Sequence, residues 1–290
     1  MFIASLIACP GGLDPAAVVA LRNAWGGGDV QWLAPDEAAE FELLGALPTN
    51  APEVSAEMRA MGVDLNILPG EGRRKRLLLA DMDSTMIEQE CIDELAAEAG
   101  VGERVAAITA RAMNGELDFF EALDERVSLL QGLPVSVIDK VLAERIRYRP
   151  GGKVLLATMR ASGARTALVS GGFTAFTAKV AAELGFDEHR ANVLLTEGES
   201  LSGKVQKPAL GSDAKVEALM DIASALGLSN LDAIAVGDGA NDLPMLDTAG
   251  IGVALHAKPT VAAQCDVRVD HGDLTALLYL QGYAKSEFAA

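Results

Sequence analysis

The run Leu77-Leu78-Leu79-Ala80, followed at once by Asp81-Met82-Asp83-Ser84-Thr85, constrains this chain more than any other segment. An uninterrupted apolar stretch of strand length reads as the middle of a parallel sheet, buried on both faces. Here it ends abruptly in two carboxylates one residue apart. In open α/β sheets ligands bind beyond the carboxyl ends of such strands, and extended side chains two residues apart project the same way. Asp81 and Asp83 are therefore expected side by side at the rim of a core. Two like charges so placed need a divalent cation, a shared proton or an anionic ligand held through a metal.

With 290 residues, half of them apolar, the chain can bury a sizeable core in one large or two smaller domains. Lys and Arg number 24 against 41 Asp and Glu, a formal charge of -17 that disfavours polyanions. No nucleic-acid partner is expected. The basic cluster Arg73-Arg74-Lys75-Arg76 reads as a solvated linker leading into a strand. Cys9, Cys91 and Cys265 are far apart in apolar surroundings and form neither a disulfide framework nor a zinc pattern, which fits a reducing compartment. Met1 to Ala8 lacks the positive charges of a secretory signal and is too short to span a bilayer, so it reads as a buried strand. The expectation is a cytoplasmic protein without a membrane partner.

From Phe2 to about Pro69 the pattern predicts a strand, a helix over Pro15 to Trp25, one or two strands between Val30 and Leu44, and a helix over Val54 to Met61. Pro69-Gly70-Glu71-Gly72 breaks the pattern, dividing a small α/β module, residues 1–70, from a larger domain, residues 71–290. Three later segments repeat the organisation at Asp81, each a strand leading into a polar or glycine-rich loop and a helix. They are Thr166 to Gly172 before the helix Phe173 to Leu184, Ala233 to Asp242, and Ile251 to Leu255. Such alternation predicts a doubly wound parallel sheet with helices on both faces. Between about 92 and 150 helix follows helix, which reads as a helical insertion after the first strand. Asn192 to Leu201 reads as a hairpin turning at Glu197-Gly198.

The strand-end loops supply Asp81 and Asp83, then Ser170 with Gly171, then Asp238, Asn241 and Asp242, all on one sheet edge. Carboxylates from separate loops are hard oxygen ligands suited to Mg²⁺, which also takes phosphate oxygens. Ser170 and the Gly171 backbone can donate to a phosphate at a helix N-terminus. Lys215 lies in the first turn of the helix predicted over Asp213 to Leu226, where a cation opposes the helix dipole at a cost of about 0.3–1 kcal/mol. A phosphate partner explains that placement better than solvation does.

Asp-Met-Asp-Ser-Thr, Ser-Gly-Gly, Lys215 and Gly-Asp-Gly-Ala-Asn-Asp resemble, in order and separation, the four motifs of the haloacid-dehalogenase-like phosphatases, over about Lys75 to Gly272. The resemblance implies a Rossmann-like α/β fold with a helical cap. Ile87 to Leu95 and the insertion resemble the branch that hydrolyses O-phosphoserine in the last step of serine biosynthesis. That branch implies Asp81 as nucleophile, Asp83 as general acid and base, and Mg²⁺ held by Asp81, Asp238 and the Asp83 carbonyl. It also implies Glu90 on the substrate ammonium, Arg126 on the carboxylate, Met113 and Phe119 on the apolar side, and Ser170, Gly171, Lys215 and Asn241 on the phosphate side. Asp242 would orient the metal shell or Lys215. Phe119 and Arg126, seven apart in the helix-like run Asp118 to Gln131, fall on one helix face. Taken singly, Phe119 and Met113 also suit a core, Arg126 a surface charge and Glu90 a solvated acid.

Two other readings remain open in the sequence. The same scaffold could pass the phosphoryl group to an alcohol such as homoserine. Alternatively the N-terminal module, ACT-like only in its alternation of elements, could sense amino acids or join two copies into a homodimer. His189, His256 and His271 have no partner pattern and receive no role.

Overall fold

The structure, a computed structural model, describes residues 1–113 and 116–289, Met113 by its backbone alone. The N-terminal part comprises β1 (Phe2–Ala8), α1 (Pro15–Ala24), β2 (Gln31–Ala34), β3 (Ala38–Leu43), α2 (Ala51–Ala60) and β4 (Val63–Pro69). Asp14 caps α1 by accepting from Ala16 N, with Pro15 at the first helical position. The strands form an antiparallel sheet in the order β2-β3-β1-β4. Ala4, Leu6 and Ala8 pack with Val18, Leu21 and Met58 of the two helices. Ile7 on the opposite face of β1 joins the core of the second half instead. β4 has no counterpart in the sequence reading, because Asp64 and Asn66 interrupt its apolar residues with types depleted from strands.

The second half runs β5 (Leu77–Ala80), α3 (Cys91–Glu98), α4 (Gly102–Met113), α5 (Phe119–Ser128), α6 (Ser136–Glu144), α7 (Gly152–Ala161), β6 (Arg165–Phe173), α8 (Thr174–Leu184) and β7 (Glu188–Asn192). A hairpin of β8 (Leu194–Glu197) and β9 (Ser200–Val205) follows, then α9 (Ser212–Ala225), β10 (Ala233–Gly237), α10 (Leu243–Thr248), β11 (Ile251–Leu255), α11 (Pro259–Ala262), β12 (Val267–Val269) and α12 (Ala276–Leu280). Six strands form a parallel sheet in the order β12-β11-β10-β5-β6-β7. β5 is central and fully buried. Leu77 and Leu79 face Leu219 and Ile222 of α9, whereas Leu78 and Ala80 face the layer containing Leu155, Met159 and Phe176. The strand order reverses beside β5, so its carboxyl end opens a crevice.

The inserted helices α3 to α6 form a cap that is stitched to the β8–β9 hairpin. Gly132 N donates to Leu201 O at 2.9 Å, Leu201 N to Leu133 O at 2.8 Å, and Val135 N to Glu199 O at 2.9 Å. Among the described residues no helix is long and apolar enough to cross a membrane.

The two halves share more than a linker. Asp64, 1% exposed, accepts from the backbone N–H of Asp270 at 2.9 Å and of His271 and Gly272 at 3.0 Å. Asn66 donates to Arg268 O at 2.9 Å and accepts from Arg268 N at 2.8 Å, imitating a strand partner for β12. Glu37 accepts from Tyr279 Oη at 2.8 Å and pairs with Lys285. The basic cluster departs from its expected solvated role: Arg73 makes a bidentate pair with Glu40 at 2.7 and 2.8 Å, and Arg74 stacks over Tyr283. His256 and His271 bond backbone carbonyls through Nε2, and His189 meets Thr177.

Candidate active site

At the carboxyl end of β5 the backbone continues its pairing through Asp81 N to Val236 O at 3.0 Å, then turns sharply. Ser84 adopts φ 55, a left-handed conformation costly for a residue with a side chain. Arg149 holds the turn by donating to Ser84 O at 2.7 Å and Thr85 O at 3.0 Å. Ser84 Oγ in turn donates to Glu90 Oε1 at 2.7 Å. One turn thus fixes Asp81, Asp83 and Glu90 relative to one another.

Asp81, Asp238 and Asp242 are buried, with carboxylate oxygens within 4.8 Å of one another. Lys215 Nζ lies 2.6 Å from Asp81 and 2.5 Å from Asp242. Burial alone would depress this lysine, yet the two carboxylates outweigh it and hold its pKa above the ordinary value. Burial and then Asp242 push the Asp81 carboxyl well up, and burial followed by Asp242 and Glu90 raises Asp238 to about 6. A site this acidic, with one ammonium among three buried carboxylates, fits a divalent cation held by oxygen. Asp242 is already engaged, since its second oxygen accepts from Asp238 N at 3.1 Å and Gly239 N at 3.0 Å. Asp81 and Asp238 have free oxygen capacity, Asp238 accepting only a 3.3 Å bond from Thr85 among the described side chains.

Asp83 has a different environment. Its Oδ1 accepts from Cys91 N at 3.0 Å, while burial and the nearby Glu90 raise its pKa to about 7. Gly172 permits this placement, because a Cβ there would lie 2.7 Å from Asp83 Oδ2. Ser170 is buried and accepts from Gly172 N at 2.8 Å, leaving its own hydroxyl proton available.

These groups form the core wall of a cavity of about 310 Å³, which Asp81, Asp83, Ser170, Gly171, Asp238 and Asn241 line. The cap and its approach supply Glu90, Phe119 and Arg126. Arg126 donates through Nε to Ala122 O at 3.1 Å, its only hydrogen bond among the described residues. Burial lowers its pKa, against the opposing pull of Asp93 and Glu90. Of the expected residues, all but three line the cavity: Lys215 and Asp242 stand behind Asp81, in contact with one another, and the Met113 side chain lies outside the described residues. The sequence reading missed Thr109, Asp93 and Lys258, which also line it. It missed Arg149 and Thr85 too, whose roles depend on contacts between distant segments. Only Asp93, one helical turn from Glu90, could have been suspected from spacing.

A buried strand-end aspartate beside a lysine, a second buried carboxyl with a raised pKa and a helical cap suit a phosphotransfer site. The haloacid dehalogenase-like hydrolase family matches residues 78–247, and the chain belongs to it. It is 48% identical to the phosphoserine phosphatase of Streptococcus thermophilus over 200 residues, 69% of this chain and 93% of that protein. To the probable phosphoserine phosphatase of Schizosaccharomyces pombe it is 47% identical over 72% of this chain and 70% of the relative. The solved structure of the probable phosphoserine phosphatase from Vibrio cholerae superposes with a TM-score of 0.80 at 31% identity, covering 99% of this chain and 87% of that one. Of some longer curated relatives the chain spans less than two thirds, 63% in one case. Within its family, the chain falls in the phosphoserine phosphatase branch.

Proposed function

We propose that the protein is a Mg²⁺-dependent phosphoserine phosphatase, a phosphoric monoester hydrolase acting in the last step of serine biosynthesis in the cytoplasm. The observation that carries this reading is the two-walled cavity: acids and anion donors on the core side, and on the cap side a carboxylate and a guanidinium whose one side-chain hydrogen bond among the described residues is to Ala122 O. A phosphate suits the first wall. Glu90 and Arg126 suit the ammonium and carboxylate of an amino acid.

In the first step a carboxylate oxygen of Asp81 attacks phosphorus and the bond from phosphorus to the serine oxygen breaks. Asp83, with a pKa of about 7, gives its proton to that departing oxygen. In the second, ionised Asp83 takes a proton from water as the water oxygen attacks phosphorus, releasing phosphate and restoring Asp81. Positioned proton transfer of this kind contributes roughly 10²–10⁴ in rate. Ser170, the Gly171 backbone and Asn241 donate to the phosphate oxygens, and Lys215 acts on their charge from behind Asp81. Asp81, Asp238 and the Asp83 carbonyl would hold Mg²⁺, which when bound would supply positive charge against the repulsion between nucleophile and phosphate. Phe119 closes the apolar side, and Asp242 orients Lys215.

Residues 1–70 serve as a regulatory or pairing module, and a homodimer formed through them would leave the Asn66 side chain of β4 engaged with Arg268 of β12. The deciding experiment measures phosphate release from O-phosphoserine with and without Mg²⁺ for the wild type and Asp81→Asn. Metal-dependent release that the substitution abolishes is expected. Unchanged turnover in the variant removes Asp81 as nucleophile, and accumulation of phosphohomoserine when homoserine is added would show transfer in place of hydrolysis.

A further inference from the structure

Two aromatic residues open α5, and the cavity accounts for only one of them. Phe119 lines it; Phe120 does not, and remains 44% exposed. One edge of the Phe120 ring is nevertheless seated on Gly211, where a Cβ would meet Cζ at 2.9 Å. Gly211 has φ -107 and ψ -159, an extended backbone open to any residue. A side chain at Gly211 would displace the Phe120 ring, and its Cβ would lie 3.7 Å from Phe119 Cδ1. Phe119 meets Gly171 in the same manner, at 3.3 Å from an added Cβ. The two rings pack edge to face with centroids 5.4 Å apart.

The two seats belong to separate core segments, the irregular last part of β6 and the turn into α9. Asn192 ties them together: its buried amide donates to Gly171 O at 2.9 Å and Leu210 O at 3.2 Å, and accepts from Leu210 N at 2.7 Å. One helical turn beyond Phe120, Asp124 pairs with Lys207 at 2.8 Å. Helix α5 therefore grips residues 207–211 twice along one face.

We infer that Phe120 is a positioning residue that latches the cap shut by seating on Gly211, while Phe119 and Arg126 face the phosphate-side loops. The inference rests on the phosphatase reading of the cavity. A ring-edge contact is short-ranged, so it stabilises the closed cap and adds nothing once the cap swings away. Without the latch a smaller fraction of molecules is closed, and apparent substrate affinity falls by that fraction. Product release is not slowed.

The test uses the full chain as Phe120→Ala, Gly211→Ala, the double variant and Phe120→Leu. Rates are measured on O-phosphoserine with Mg²⁺, together with deuterium uptake of the 119–131 amides. Each alanine variant should raise KM about tenfold with kcat within about twofold, and should raise uptake. The double variant should be no worse than either single one, since both remove one contact, and Phe120→Leu, which lacks the ring edge that meets Gly211, should fall with the alanine variants. Unchanged KM and uptake in the single variants, multiplied losses in the double, or a fall in kcat at constant KM would each overturn the latch. A wild type that releases no phosphate would instead overturn the phosphatase reading, and uptake raised in both single variants would still support the seat.

Discussion

Lys215 and Asp81 form a buried ion pair, Nζ to Oδ1 2.6 Å, with side-chain exposures of 2% and 8%. Replacing Lys215 by Met strands Asp81 and Asp242 as buried, uncompensated carboxylates. We expect a destabilisation of about 3–5 kcal/mol in metal-free protein and a fall in kcat of about 10²–10³. Denaturant unfolding with chelator and steady-state kinetics with Mg²⁺ would check the two effects separately. Wild-type stability in the variant would mean that the pair is not ionised.

Arg126 presents an under-used guanidinium to the cavity. Arg126→Ala should raise KM for O-phosphoserine by about 10–100-fold, the range of a lost charged hydrogen bond, and leave turnover of a simple alkyl phosphate nearly unchanged. Parallel losses on both esters would remove Arg126 from substrate recognition.

Without metal, the raised carboxyls make stability depend on pH in a definite direction. Asp83 near 7 and Asp238 near 6 hold protons that the unfolded chain has released above its value of 3.8. Their contribution is fully present below 3.8 and is lost as pH rises through 6 to 7. In chelator, Asp238→Asn should therefore melt above the wild type at pH 7.5, with the gap shrinking toward pH 5. Adding Mg²⁺ should reverse the order at pH 7.5, because the ion binds the deprotonated ligand. Thermal melts at the two pH values decide this.

Asp64→Ala would leave three backbone N–H groups of the loop after β12 without their acceptor. A loss of about 2–4 kcal/mol is expected, visible as a lower unfolding midpoint with one cooperative transition. A first transition confined to residues 1–70 would show that the halves unfold independently.

The central strand, the strand-end acids and the cap were legible because each depends on local pattern: apolar runs, glycine punctuation, helical spacing. Asp81 and Asp238 follow the last residues of β5 and β10, while Ser170 lies three residues before the end of β6, which runs on to Phe173. β4 escaped because Asp64 and Asn66 look like strand breakers until β12 is seen beside them. Arg149 escaped for a similar reason, its hydrogen bonds to Ser84 and Thr85 crossing more than sixty residues. The Arg73 to Arg76 run looked like free charge because Glu40 and Glu287, which neutralise part of it, lie far off in sequence.

Ile7, Leu33 and Leu68 of the first sheet share one continuous interior with Leu278 and Tyr279 near the other end of the chain. The small sheet is accordingly no detachable cassette riding on an enzyme. A substitution inside it is a substitution in the enzyme's own scaffold, and any message it receives reaches the cleft as a change in shared packing, without the swing of a tethered arm.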